Sequence, residues 1–105
     1  ANVLFTEFKG ALTEQYVLQQ MISINRFKPY YYSTENSRGE IDFLIQKDND
    51  VIPIEVKASE NLQAKSLKAF VEKYKVGHAL RISMSDYRIQ DWLTNLPLYA
   101  FTELI

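Results

Sequence analysis

Hydrophobic and polar positions in this chain first follow the period of a helix. Val17, Leu18 and Met21 recur at the three-and-four spacing that places side chains on one helical face. This spacing predicts a helix over residues 9–24. Glu14 falls inside the same apolar stripe, because it precedes Val17 by one turn. Either this carboxylate has a functional role on the core side of the helix, or it lies at the edge of the stripe and is exposed to solvent.

Three apolar runs rich in β-branched and aromatic residues follow this helix. They predict strands over residues 27–34, 40–47 and 51–58. A polar, glycine-containing segment at residues 36–39 predicts a turn between the first two strands. Residues 48–49, Asp and Asn, tolerate the positive φ that tight hairpins require, so they predict a two-residue loop between the second and third strands.

The second half of the chain begins with another amphipathic segment. Asn61 is a suitable N-cap for a helix over residues 62–74, and Gly77 suits the position just past its end. The apolar side chains that would face the core of the domain are Leu67, Phe70, Val71 and Tyr74.

The remaining residues predict three short elements. A strand is expected over residues 78–83, a short helix over residues 89–96 and a last strand over residues 98–101. In chain order, a helix, three strands, a helix and a strand indicate an α/β domain with a central mixed β-sheet flanked by helices.

The hairpin of the second and third strands carries two acids at positions that the pattern assigns to the core. A two-residue loop pairs Lys47 with Asp50 and, counting back from the turn, pairs Asp42 with Glu55. These two acids would form a non-hydrogen-bonded pair with Cα atoms about 4.5 Å apart. Like charges at directly opposed positions destabilise a sheet, and a bound divalent cation would reverse that effect.

Chemistry at this hairpin points to a cation site for phosphodiester hydrolysis. Magnesium or manganese prefers oxygen ligands, which Asp42, Glu55, the carbonyl of Val56 and the helical Glu14 could supply. Lys57 shares a strand face with Glu55, so it could orient the attacking water or stabilise developing charge. The alternative is a structural ion network in which Glu40 pairs with Lys57 across the strands.

Composition limits the classes of protein to which this chain can belong. Its 105 residues suit one domain, and its lack of cysteine excludes disulfides and thiolate metal sites and fits a cytoplasmic protein. No apolar run is long enough to span a bilayer. The chain begins in mid-pattern, so we expect it to be part of a longer protein.

The charge balance argues against strong nucleic-acid binding by the isolated domain. Twelve Lys and Arg oppose 13 Asp and Glu, for a net charge of −1. Four lysines cluster in and just after the second predicted helix, as either a basic stripe or a solvated face: Lys65, Lys68, Lys73 and Lys75. Any binding to DNA is therefore expected to be weak and sensitive to salt.

An acid on one strand, E-x-K on the next and a preceding helical Glu resemble the PD-(D/E)XK nuclease superfamily. The corresponding residues are Asp42, Glu55, Lys57 and Glu14, with Ile41 in place of the proline of the motif. The resemblance implies a restriction-endonuclease-like core (αβββαβ) over residues 1–105 and metal-dependent hydrolysis of DNA. A catalytically inactive interaction or nucleic-acid-binding module with the same fold is the alternative.

A closer resemblance covers nearly the whole chain. The stretches that carry it lie at residues 8–17, 31–33, 40–45, 52–57, 65–70 and 96–99. They resemble a domain of unknown function found C-terminal to AAA-type ATPase modules in bacteria and archaea. This resemblance implies an N-terminal ATPase module in the same protein, with ATP bound there, because these residues contain no P-loop motif.

Overall fold

A computed structural model shows a layered domain. It describes residues 3–24, 26, 28–31, 41, 43–47, 49–58 and 65–105. The elements are α1 (Val3–Ile24), β1 (Pro29–Tyr31), β2 (Phe43–Lys47), β3 (Asp50–Lys57), α2 (Lys65–Tyr74), β4 (Ala79–Ser83), β5 (Arg88–Gln90), β6 (Leu93–Pro97) and α3 (Phe101–Leu104).

The strands form a mixed sheet in the order β1-β2-β3-β4-β6-β5. Strands β3, β4 and β6 are parallel to one another, while β1, β2 and β5 pair antiparallel with their neighbours. The predicted α/β class is confirmed, and the first six elements follow the predicted order of helix, three strands, helix and strand.

The β2–β3 hairpin has the predicted register. Lys47 pairs with Asp50 and Phe43 pairs with Ile54, so the strands are joined by a two-residue loop. Leu44 faces Pro53, at a position where the missing N–H of proline costs no hydrogen bond within this hairpin. Asp42 and Glu40 lie outside the described residues, as does the first loop residue, Asp48.

Each face of the sheet has its own hydrophobic cluster. Helices α1 and α3 cover one face, where the fully buried residues include Val17, Met21, Phe43, Ile54 and Phe101. Helix α2 covers the other face, where Leu67, Phe70 and Val71 pack with Ile41, Ala79 and Leu93. Because successive strand residues point to opposite faces, Ile54 points towards α1, and Pro53 and Glu55 point towards α2.

Helix α2 ends differently from the prediction. Lys75, not Gly77, takes the left-handed conformation after the helix, with φ of 52°. The N–H of Val76 bonds the carbonyl of Val71 at 3.1 Å, which is the closing bond of a Schellman motif. Tyr74, predicted to face the core, is half exposed at the end of the helix.

The prediction for the last part of the chain is wrong. Residues 89–96 form the β5–β6 hairpin, in which Asp91 adopts a φ of 39° at the turn. Strand β6 is buried along its whole length, so its apolar residues do not alternate, and their spacing imitates a helix. Residues 98–100 form a turn, and Phe101 begins the short helix α3 where the last strand was expected.

Within the described ranges, no helix combines the length and the apolar character needed to cross a membrane.

Candidate functional site

Glu55 and Lys57 meet on the face of β3 that points towards α2. The Nζ of Lys57 lies 3.1 Å from Oε1 of Glu55. The Glu55 side chain is only 3% exposed, whereas that of Lys57 is 26% exposed. An ionised carboxylate at this depth requires charged or hydrogen-bonding partners, and Lys57 is one of them.

Arg81 is a second cation beside Glu55. It lies directly opposite Glu55 in the parallel pairing of β3 with β4, and it is buried. Burial lowers the pKa of Arg81 from its ordinary value, the charge of Glu55 acts in the opposite direction, and the charge of Arg88 lowers the pKa further. The carboxylate and the two cations therefore form one electrostatic unit.

Asn95 on β6 holds the guanidinium of Arg81 in place. The Nε–H of Arg81 donates to Oδ1 of Asn95 at 3.0 Å, and the hydroxyl of Ser83 donates to the same oxygen at 2.6 Å. The amide nitrogen of Asn95 donates to the backbone carbonyls of Ser85 and Asp86 at 3.0 and 3.1 Å. Because Asn95 uses both its acceptor and its donors, its orientation is determined by its surroundings.

The strand register continues this arrangement across the sheet. Arg81 pairs with Asn95, and Asn95 pairs with Arg88 on the edge strand β5. Directly paired residues point to the same face, so these side chains and Glu55 form a line across four strands. We call Glu55, Arg81, Asn95 and Arg88 the polar row. Lys57 and Ser83 lie opposite each other one layer nearer the carboxyl ends of β3 and β4.

The position of the polar row favours a binding or catalytic role. In open α/β sheets, ligands bind in the crevice outside the carboxyl ends of the parallel strands. Lys57, Ser83 and Pro97 end β3, β4 and β6 at that edge. The structure thus places the E-x-K pair at the edge of the sheet where this fold class binds its ligands.

Sequence reasoning missed Arg81, Ser83 and Asn95. A signal was available for Arg81, since it is a charged residue in the apolar strand A-L-R-I-S, the same criterion that selected Glu55. Asn95 carried no such signal, because residues 89–96 imitated a helix. Its role depends on pairing between strands that are distant in sequence.

The structure places Glu14 and Glu55 in different layers of the domain. Glu14 lies on α1, one turn before the buried Val17, and α1 packs against the face of the sheet opposite to that of Glu55. The Val56 side chain also packs on the α1 face, so only its backbone could serve the site. Asp42 lies outside the described residues.

Among the described residues, no three His, Cys, Asp or Glu side chains lie together in a way that could hold a metal ion. Glu55 offers the hard carboxylate oxygen that magnesium prefers, although Lys57 contacts that carboxylate and Arg81 lies beside it. A divalent cation at this site would therefore need a second carboxylate, the role that the sequence predicts for Asp42.

Two lysines of the second helix lie away from the core. Lys68 and Lys73 are exposed on α2, with the exposed Glu72 between them. Lys73 lies with its Nζ 5.2 Å from the ring centroid of Tyr74. This mixture of charges is typical of a solvated helix face.

Comparisons with known proteins found a family but no individual relative. The model of a domain of unknown function, DUF4143, matches residues 9–101. No curated protein and no solved structure matches the chain. The match confirms the expected membership in a family of domains of unknown function.

Proposed function

Because the chain belongs to DUF4143, a family of domains of unknown function, we propose its function from the site itself. We propose a nuclease-like domain of restriction-endonuclease-like fold that hydrolyses phosphodiester bonds of DNA with a divalent cation. The observation that carries the proposal is the pairing of a buried Glu55 with Lys57 at 3.1 Å on a core strand.

The fold supports this proposal at the level of element order. The sequence of α1, three strands, α2 and a strand parallel to β3 agrees with the αβββαβ order of restriction-endonuclease-like cores. The confirmed hairpin register also supports the proposal. If it continues by one pair beyond Phe43 and Ile54, it is the register in which the sequence predicts Asp42 opposite Glu55. Two acids at opposed positions are the feature that a cation would explain.

Each residue has a distinct proposed role. Glu55 and Asp42 hold magnesium or manganese, with the Val56 carbonyl as a further oxygen ligand. The metal supplies Lewis-acid polarisation of the phosphate and a bound water of lowered pKa. Lys57 donates to the developing negative charge on a phosphate oxygen from its partly exposed position. Arg81, opposite Glu55 on the neighbouring strand β4, balances the charge of Glu55.

The proposed setting of the domain follows from its resemblance to the domain that accompanies AAA-type ATPases. In that setting an ATPase module in the same protein binds ATP and the nuclease-like domain acts on DNA. The net charge of −1 supports this setting, since such a charge gives the domain little attraction to DNA by itself.

A catalytically inactive interaction or nucleic-acid-binding module is the second candidate, and a specific observation favours it. Glu55 already faces two cations, Lys57 and Arg81, so its charge is balanced without a metal ion. A buried pair of this kind can serve the fold alone. The two candidates differ in whether a divalent cation binds and whether DNA is cut.

Metal titration and DNA cleavage distinguish these candidates. We expect calorimetry with Mn²⁺ to show binding to the wild-type chain that is lost in Asp42→Ala and in Glu55→Gln. Plasmid nicking should be lost in Lys57→Ala while the metal still binds. Glu14→Gln is the matched carboxylate-to-amide change on the opposite layer, and we expect it to retain both properties.

Three results would be decisive. An absence of metal binding and nicking in a folded wild-type chain would reject the nuclease and leave the binding module. Nicking that persists in Lys57→Ala would show that the activity arises elsewhere. Loss of metal binding in Glu14→Gln would instead restore Glu14 to the metal shell that the sequence predicts.

A further inference from the structure

We infer that Lys57 and Arg88, at either end of the buried part of the polar row, bind the phosphate backbone of a nucleic-acid strand that passes along the carboxyl ends of the parallel strands, from β3 to β5. This inference deepens the proposed function, since it rests on that proposal for the identity of the ligand as a nucleic acid. It assigns the phosphate contacts to Lys57 and Arg88, with Arg81 as a fixed positive charge beneath them.

The charges of these residues favour an anion. The polar row and Lys57 carry three cations, at positions 57, 81 and 88, and one carboxylate, that of Glu55. Arg88 is close enough to Arg81 for its charge to lower the pKa of Arg81. Like charges repel each other; Glu55 offsets part of this repulsion at Arg81, and a phosphate contacted by Arg88 offsets it further.

Exposure separates the residues that touch the ligand from the one that acts at a distance. Arg88 is exposed on the edge strand β5, and Lys57 is partly exposed at the end of β3. Arg81 is only 5% exposed and is held by Asn95. Lys57 and Arg88 can therefore contact phosphates directly, whereas Arg81 contributes to the local potential.

The dimensions of the row suit a nucleic-acid strand. Strands β3 and β5 are three places apart in the sheet order, which corresponds to about 14 Å at the usual strand spacing. One strand of B-DNA presents a phosphate about every 3.4 Å along its axis, so this distance spans about four phosphates. At that spacing of their strands, a chain of phosphates suits Lys57 and Arg88 better than a single small anion does.

Salt dependence of DNA binding tests this inference without any metal. Binding of a fluorescein-labelled oligonucleotide, single-stranded or duplex, is measured by anisotropy in EDTA at several KCl concentrations. Each lost phosphate contact should reduce the slope of log K against log salt by about 0.7 for a single strand or about 0.9 for duplex DNA. We expect that reduction, with several-fold weaker binding, in Arg88→Gln and in Lys57→Gln, and twice the reduction in the double variant.

Arg26→Gln provides the control with the same change of side chain and charge. Arg26 is exposed and its guanidinium donates to the backbone carbonyl of Thr102 at 2.6 Å, beside the start of α3 and away from the polar row. We expect this variant to keep the wild-type slope. Thermal unfolding of every variant verifies that each is folded at the temperature of the binding measurement.

The possible results separate this inference from the proposed function. An unchanged slope in folded Arg88→Gln, or an equal loss in Arg26→Gln, would overturn the phosphate row. Equal competition by polyglutamate would also overturn it, since the row would then accept any polyanion. DNA binding with the expected slopes but without nicking in Mn²⁺ would support the row and reject only the nuclease.

Discussion

At the scale of single residues, the site depends on how a buried carboxylate is balanced. Glu55 lies between Lys57 on its own strand and Arg81 on the next, and Arg81 is held in turn by Asn95. Removing one partner of a buried ionised group leaves an uncompensated charge, so the loss of any member of such a network destabilises the fold. Asn95 is the residue on which most of these hydrogen bonds meet.

Asn95→Ala should therefore destabilise the domain strongly. The change removes the acceptor used by Arg81 and Ser83 and the donors that hold Ser85 and Asp86. We expect a loss of about 2 to 4 kcal/mol in the free energy of unfolding, because buried polar groups lose partners. Denaturant titration followed by circular dichroism measures it.

Gln90→Ala is the matched control, since it removes an exposed amide from the same hairpin. We expect it to change stability by no more than about 0.5 kcal/mol. Equal stability of Asn95→Ala and wild type would contradict the assignment of Asn95 as the centre of the network.

At the scale of elements, the ends of helices and hairpins show where sequence and structure differ. Helix α2 closes with a Schellman motif whose left-handed position is occupied by Lys75, although Gly77 follows two residues later. The hydrophobic contact that usually accompanies this motif is also present, since Val76 packs against the cluster that contains Val71. A lysine at positive φ carries a steric cost that a glycine avoids.

Lys75→Gly should therefore stabilise the protein. The relief of about 1 kcal/mol or more at the left-handed residue exceeds the entropy that glycine adds to the unfolded chain, so we expect a net gain of up to about 1 kcal/mol. The melting temperature measures it. Lys75→Ala keeps the Cβ and should show no gain; an equal gain would mean that the lysine charge, not the backbone, is responsible.

At the scale of the whole molecule, one sheet separates two hydrophobic clusters and supports the polar row at the carboxyl ends of its parallel strands. The α1 side contains Ile54 and Ile82, while the α2 side contains Leu67 and Ala79. The central strand β4 contributes to both clusters, through Ile82 and Ala79, so the stability of the domain and the position of Arg81 depend on the same strand.

Truncation of a central residue should therefore cost far more than truncation at the edge. Ile82 is fully buried on β4, whereas Ile89 is 64% exposed on β5. We expect Ile82→Ala to lose about 2 to 5 kcal/mol and Ile89→Ala about 0.5 kcal/mol or less, as measured by urea unfolding. Similar losses in the two variants would contradict the arrangement of the sheet, and a helix over residues 89–96 would be the alternative.

The sequence alone determined the features that depend on neighbours along the chain. Helical spacing predicted α1 and α2, and the loop between β2 and β3 set the register of their pairing. Alternation along one strand placed Glu55 and Lys57 on the same face. Local periodicity and turn chemistry suffice for such features, because the interacting residues are close in sequence.

Only the tertiary structure decided which cations surround Glu55 and which face Glu14 occupies. Arg81 and Asn95 reach the site through parallel pairings of β4 with β3 and β6, and α1 is placed on the opposite face of the sheet. Strand β6 is buried on both faces and therefore lacks the alternation that marks a strand in a sequence. Long-range pairing and two-sided burial depend on the assembled sheet, so local spacing along the chain does not predict them.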